Sequence, residues 1–226
     1  MNTIMGLLKK DLYNLSNYKT SLIISTLVCG LAVIGTGSAE LGPILICTIL
    51  GMIALSTFNY DEMSKSNKYI LSLPTNKKEI VKEKYLLAII ASVFGGILGY
   101  LITILVVYVM NYIRPENLLL IDYNKLFINT LSGMFGIAFV HSIQIPSIYK
   151  WGAEKGRIQM FILLLLVFAI GSGIIFFVTK NSFNIDITNI ESFLNRFGIP
   201  LFILIISLMY FVSYKISCKI YEKKEE

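Results

Sequence analysis

The sequence predicts an all-α integral membrane protein with six transmembrane helices. Of its 226 residues, 55% are hydrophobic and only 15% are charged, whereas soluble domains carry roughly 25% charged residues. The apolar residues form six blocks without Asp, Glu, Lys or Arg, each close to the length that a helix needs to cross a bilayer. The blocks lack the alternation that is typical of outer-membrane strands. This composition excludes a disordered chain, a coiled coil and an ordinary soluble enzyme.

The chain 1–226 is predicted to form a single transmembrane domain. Its first block follows three lysines and ends in small residues, as a signal peptide does. The block is longer than the 7–15 apolar residues of a signal peptide, so we interpret it as a retained span. The six predicted spans are 20–39, 41–58, 86–110, 126–145, 158–178 and 197–214.

The basic residues predict the orientation of these spans. If the N-terminus is cytoplasmic, 16 of the 20 Lys and Arg residues fall on segments at the inner face. Such an excess is typical of cytoplasmic segments. It indicates a multi-pass membrane protein with both termini in the cytoplasm. The net charge of +6 is then a topology signal that favours contact with anionic lipids, and it does not require nucleic acid as a partner.

The segment 2–17 predicts an amphipathic helix in the cytoplasmic interface. Its apolar residues recur at helical spacing, and Asp11 is the only polar residue among them. Such a helix lies with its apolar face in the headgroup region. The alternative is a frayed basic tail. The apolar positions are Ile4, Leu7, Leu8, Leu12 and Leu15.

The segment 59–84 is the longest polar stretch, and its first half predicts a short helix. Asn59 is followed three residues later by Glu62, a spacing that resembles a capping box. The acidic side chains would then lie at a positive helix N-terminus. A helix over about 60–71 would end before Pro74, because the residue before a proline is disfavoured in a helix.

The second half of this segment repeats the same signal. Asn76 is followed by Glu79, which predicts a second helix start that runs into the third span. The pair of helix starts favours a helix that lies across the membrane face and is hinged to a long transmembrane helix. The alternative is a solvated basic connector.

Two shorter loops carry weaker signals. In the inner loop 146–157, Tyr149 and Trp151 are predicted to anchor in the headgroup region, and Gly152 predicts a turn. In the outer loop, Thr188 and Glu191 form a capping box, which predicts a short amphipathic helix before the sixth span.

Small-residue pairs within the spans indicate closely packed helices. Three such pairs are spaced four residues apart, and this spacing lets two helix backbones approach each other. They are Gly95 with Gly99, Ser132 with Gly136, and Ala169 with Gly173.

Several catalytic motifs are absent from the sequence. It has no Gly-x-x-x-x-Gly-Lys-Ser/Thr motif, so the chain does not hydrolyse nucleotides by itself. Its one histidine, His141, cannot form a His-Glu-x-x-His zinc site. An intramembrane hydrolase using Ser172 would need His141 as its base. We favour hydrogen bonding to a neighbouring helix for His141 and Gln144, and packing roles for the three cysteines.

The segment 59–84 resembles the first cytoplasmic loop of ABC-2-type permeases. The likeness lies in the acidic pair of Phe58–Met63, in the aromatic-Leu-Ser-Leu-Pro run and Glu-Ile-Val of Lys68–Val81, and in Lys84–Leu86. The rest of the chain is similar in layout. The sequence departs from the family pattern at Asn76-Lys77, where relatives often carry Arg. The positive charge is kept, but a lysine does not form the two parallel hydrogen bonds by which an arginine binds a carboxylate.

The resemblance implies a membrane subunit of an exporter, without a cofactor of its own. A separate ATPase subunit would bind ATP and Mg, and a second permease subunit would complete a homodimer or heterodimer. The segment 59–84, the coupling loop, would dock the ATPase. The nearest likeness is to permeases of exporters for amphipathic peptides such as phenol-soluble modulins. The residues implied in coupling are Asp61, Glu62, Met63, Ile70, Leu73, Pro74, Lys77, Lys78 and Glu79.

Two other classes of function remain open from the residues alone. A membrane immunity or scaffold protein that binds peptides would need no ATPase partner. An intramembrane hydrolase is the third alternative, and it depends on His141.

Overall fold

The computed structural model describes residues 3–16, 19–65, 76–115, 118–180 and 188–223. These residues form seven α-helices and no strand, which confirms the all-α prediction for this part of the chain. The helices are α1 (Thr3–Ser16), α2 (Lys19–Thr36), α3 (Leu41–Met63), α4 (Lys77–Ile113), α5 (Tyr123–Trp151), α6 (Ala153–Lys180) and α7 (Thr188–Lys223).

Four helical segments among the described residues are long and apolar enough to cross a membrane. They are α3, α4, α5 and residues Gly198–Lys223 of α7. α2 contains a further apolar segment, Leu22–Thr36, and this helix ends before Gly37, which takes a positive φ of 64°. The predicted spans 20–39 and 158–178 therefore stay predictions.

The two ends of the helical bundle carry different parts of the chain. At one end, Leu7 of α1 and Ile80 of α4 are buried together beside Tyr221 of α7. We call this the terminal end, since it holds the first helix and the end of the last. At the other, distal end, residues 37–40 and 120–126 line a shared cavity.

Glycines bring α3 and α4 into close contact. A Cβ atom on Gly99 would lie 3.0 Å from the carbonyl oxygen of Pro43, and one on Gly95 would lie 3.2 Å from that of Cys47. The predicted Gly95–Gly99 pair therefore lies at a helix interface. Beside Gly136 and Gly173, the described atoms leave open space, so these two glycines make no such contact with the described residues.

α3 is longer than predicted at its C-terminal end. It continues through Asn59 to Met63, and Ser64 then donates its backbone N–H to the carbonyl of Tyr60. Asn59 is thus inside a helix and does not cap one, so the prediction of a helix that starts there is wrong. Phe58 packs in the core. This packing stabilises helical structure beyond Asn59, the residue at which the local capping signal predicted a new helix. Residues 64–65 of the predicted 60–71 helix form a turn, with a φ of 51° at Lys65, and residues 66–71 lie outside the described residues.

α5 and α7 also extend beyond the predicted boundaries. α5 passes through Pro146 and ends where Gly152 adopts a φ of 89°, as the predicted turn requires. A proline inside a helix loses one backbone bond, which transmembrane helices tolerate. α7 begins at Thr188 as predicted, but it runs without a break to Lys223. The predicted outer helix and the sixth span are therefore one element.

Candidate functional site

A cluster of buried charges joins three helices at the terminal end. Lys84 of α4 is 5% exposed, and its Nζ binds Asp11 of α1 and lies 2.5 Å from Oδ2 of Asp61 in α3. The same Nζ donates to the Thr57 hydroxyl at 3.1 Å. Lys10 completes the group, since its Nζ lies 2.6 Å from Asp61 Oδ1 and 3.0 Å from Asp11 Oδ1. We call Lys10, Asp11, Asp61 and Lys84 the charge cluster.

The charge cluster explains why an acidic residue lies on the apolar face of α1. A buried carboxylate is costly unless it is paired, and Asp11, which is fully buried, meets two ammonium groups. Leu7 lies one turn earlier and is buried beside Ile80. The apolar face of α1 thus packs on protein around an ion pair, while Leu12 is 45% exposed.

The charge cluster also joins the two ends of the coupling loop, through Asp61 and Lys84. Asp61 lies in the last turn of α3, and Lys84 lies near the start of α4. Between Asp61 and Lys84, residues 66–75 lie outside the described part of the chain. The Asp61–Lys84 ion pair therefore ties together the two helices from which this segment emerges.

Glu62 contacts a different helix from its neighbour Asp61. Its Oε2 accepts a hydrogen bond of 2.7 Å from the backbone N–H of Ala153, at the start of α6. A carboxylate is stabilised at such a helix N-terminus. Both acidic residues were predicted to lie at the start of their own helix, and this is wrong because they lie in the last turn of α3. Glu62 nevertheless meets a helix start, that of α6.

The other residues implied in coupling lie around the start of α4 or outside the described residues. Met63 is 83% exposed. Asn76 caps α4 as predicted, because its side chain accepts from the Lys78 N–H. Lys77 Nζ lies 6.0 Å from the ring centre of Tyr221, and Lys78 Nζ lies 3.4 Å from Glu222 Oε1. Glu79 lies in the first turn of α4. Ile70, Leu73 and Pro74 lie outside the described residues.

Tyr149 and Trp151 differ in their surroundings. Trp151 is 44% exposed, and the ammonium of Lys150 lies 4.3 Å from its ring centre. Tyr149 is buried, with its ring 5.4 Å from that of Phe58 and 5.0 Å from that of Tyr221. The helix continues past Pro146 and turns Tyr149 into the bundle, so its ring packs on protein, and its predicted depth in the headgroup region stays a prediction.

His141 joins helices and does not form a catalytic base. Its side chain is fully buried, with Nε2 3.0 Å from the Gly51 carbonyl and Nδ1 3.0 Å from the Tyr210 hydroxyl. Since a carbonyl only accepts, Nε2–H donates to it and Nδ1 accepts from the tyrosine. This confirms the predicted hydrogen bonding to neighbouring helices for His141, whereas the buried Oε1 of Gln144 has no hydrogen-bond partner among the described residues. The exposed Ser172 bonds within α6.

Sequence reasoning missed Lys84 and Asp11 as partners. They are 73 residues apart, so no local spacing connects them. The available signals were a lone acid on an apolar helix face and a lysine directly before an apolar block. The described residues contain no group of three or more His, Cys, Asp or Glu side chains arranged for a metal ion.

Comparison with known proteins identifies the family of the chain. A family model described as ABC-2 family transporter protein matches residues 6–222, from α1 to the end of α7. Searches of curated proteins and of solved structures found no match. The family match confirms the resemblance found in the coupling loop, and the chain belongs to the ABC-2 family of transporters, as a membrane permease.

Proposed function

We propose that the chain is the transmembrane subunit of an exporter that moves a hydrophobic or amphipathic substrate, such as a peptide, across the bacterial cell membrane. ABC-2 permeases are membrane components, and ATP hydrolysis belongs to a partner subunit. Two permease subunits pair, and each docks a separate ATPase that binds ATP and Mg. The terminal end faces the cytoplasm, as the basic residues predict.

The Asp61–Lys84 ion pair is the observation that carries this proposal. It joins α3 and α4 at the base of segment 66–75, and glycines hold the same two helices together further along. A force on the coupling loop therefore moves both helices as one unit. Glu62 passes part of the same motion to α6 through Ala153.

The coupling residues divide into two roles in this mechanism. Asp61 and Glu62 transmit motion, since the buried carboxylate of Asp61 binds Lys84 and the exposed side chain of Glu62 binds the start of α6. Met63 is exposed beside them and contacts the ATPase, together with Ile70, Leu73 and Pro74 from the sequence motif. The residues Lys77, Lys78 and Glu79 position the start of α4.

A substitution at Met63 tests docking without disturbing the bundle. The tagged chain is purified in mild detergent from its source organism, and the co-purifying ATPase and its hydrolysis rate are measured. We expect Met63→Asp to lower both at least tenfold, because a charge replaces an apolar contact. The matched control is Leu120→Asp, since Leu120 is 89% exposed at the distal end, and it should change neither.

Two outcomes would contradict the proposal. Equal recovery of ATPase with Met63→Asp and with Leu120→Asp would remove the docking role of this surface. Reproducible absence of any ATP-binding protein from the wild-type preparation would favour the immunity or scaffold function instead.

A further inference from the structure

A small cavity lies beside the charge cluster at the terminal end. Its volume is about 150 Å³, which is room for roughly ten water molecules. Side chains from α1, α3, α4, α5 and α7 line it, so it lies where most of the helices at this end meet. Both charged and aromatic groups face it.

Glu83 is the unusual member of this lining. It is 1% exposed, and its Oε1 has no hydrogen-bond partner among the described residues. The neighbouring Lys84 is already bound by Asp11 and Asp61. Burying a carboxylate without a partner costs free energy. A hydrogen-bond donor from outside the described side chains would lower this cost for Glu83 Oε1.

The charges around the cavity do not balance. The two ammonium groups, of Lys10 and Lys84, are paired with the carboxylates of Asp11 and Asp61. Glu62 is held by the backbone N–H of Ala153. The carboxyl of Glu83 thus has no cationic partner of its own. Burial favours the neutral form of such a carboxyl, and a cation bound beside it would favour the charged form.

Aromatic rings on the same cavity favour an organic cation. Phe58, Tyr149 and Tyr221 all line it, and Tyr149 contacts both of the other rings. The electron-rich face of an aromatic ring attracts ammonium and guanidinium groups. The described residues provide no metal-binding group, so the lining does not fit a metal ion.

We propose that this cavity binds a compact organic cation of the guanidinium or primary ammonium type. Glu83 is the counter-ion and hydrogen-bond acceptor, and the rings of Tyr149 and Tyr221 flank the rest of the cation, since the Phe58 ring already has the Lys84 ammonium 4.9 Å from its centre. The occupant is a free small cation or the ammonium of a lipid headgroup, which share this chemistry. The site does not depend on the exporter mechanism, because all its groups belong to this chain.

Binding of methylguanidinium to the full chain tests the site. The protein is placed in phosphatidylglycerol nanodiscs, which contain no amine headgroup, and binding is followed by saturation-transfer NMR. We expect saturable binding that is at least tenfold weaker in Glu83→Gln, since this variant keeps the shape and removes the charge. The matched control is Glu40→Gln at the distal end, which should bind as the wild type does.

A second variant keeps the test valid if Glu83→Gln does not fold. Tyr221→Leu retains the carboxylate and removes one ring, and we expect it to weaken binding about two- to fivefold. Circular dichroism and size-exclusion chromatography establish that each variant is folded. Absence of saturable binding to the wild type, or equal binding by the variants and the wild type, would overturn the proposal.

Lipid composition separates the two sources of the cation. In phosphatidylethanolamine nanodiscs, a weaker apparent affinity for methylguanidinium means that the headgroup ammonium competes for the cavity. An unchanged affinity means that the cavity selects a free small cation. Both outcomes support the site, whereas a lack of binding in both lipids contradicts it.

Discussion

Lys84 joins α1, α3 and α4 through one buried ammonium group. Its ammonium meets carboxylates from two other helices while it is almost fully buried. Removing one partner from such a group leaves uncompensated charge in a medium of low polarity. The loss of stability caused by replacing a lysine here therefore depends more on how deeply its ammonium group is buried than on its charge alone.

Replacement of Lys84 should destabilise the protein far more than replacement of a nearby exposed lysine. We expect Lys84→Met to lower the free energy of unfolding by about 3–5 kcal/mol, because Asp11 and Asp61 lose their main partner. The matched control is Lys82→Met, since Lys82 is exposed on the same helix. Thermal unfolding in detergent measures both, and equal midpoints would contradict a structural role for the charge cluster.

The same reasoning separates docking from packing among the coupling residues. Asp61 is buried in an ion pair and the exposed Glu62 binds the Ala153 N–H, so a charge reversal at either residue alters helix contacts and docking together. Met63 is exposed and reports on docking alone. This makes Met63 the better residue for an ATPase assay, although the acidic pair carries the stronger sequence signal.

Helix boundaries show what could be predicted from the sequence and what could not. The cap at Asn76 was predictable because it depends on residues two or three positions away. The same signal at Asn59 failed, since the burial of Phe58 in the core continues α3 past it. The contact of Asp11 with Lys84 joins residues that are 73 positions apart, and no local pattern encodes it.

The interface of α3 and α4 depends on glycines that allow close approach of the backbones. We expect Gly99→Leu to destabilise the protein by about 1–3 kcal/mol, because even a Cβ would lie 3.0 Å from the Pro43 oxygen. Gly136→Leu is the matched control, since the described atoms leave open space there. The thermal midpoint and the monodisperse fraction of each variant measure the effect. A Gly99→Leu protein as stable as the control would argue against tight packing here.

Across the whole molecule, charge and exposure distinguish the two ends. The terminal end carries the charge cluster, the start of α4 and the basic end of α7, whereas the distal end holds residues 37–40 and 120–126. Only the terminal end has the concentration of basic residues that is expected on the cytoplasmic side. A label at one position in each connection between spans therefore shows on which side of the membrane that connection lies.

Cysteine labelling of intact cells tests the six-span topology. Cys29, Cys47 and Cys218 are buried and are replaced by alanine before single cysteines are introduced at Met63, Leu120 and Asn184. We expect a membrane-impermeant maleimide to label positions 120 and 184 in intact cells, and position 63 only after permeabilisation. Position 184 lies between the fifth and sixth predicted spans, so labelling there together with position 120 requires that the fourth and fifth spans both cross the membrane or that neither does, and separates the predicted topology from one in which only the fifth fails to cross. If position 184 instead behaved like position 63, the span 158–178 would not cross, and the chain would lose the even number of crossings that brings both termini to the cytoplasm.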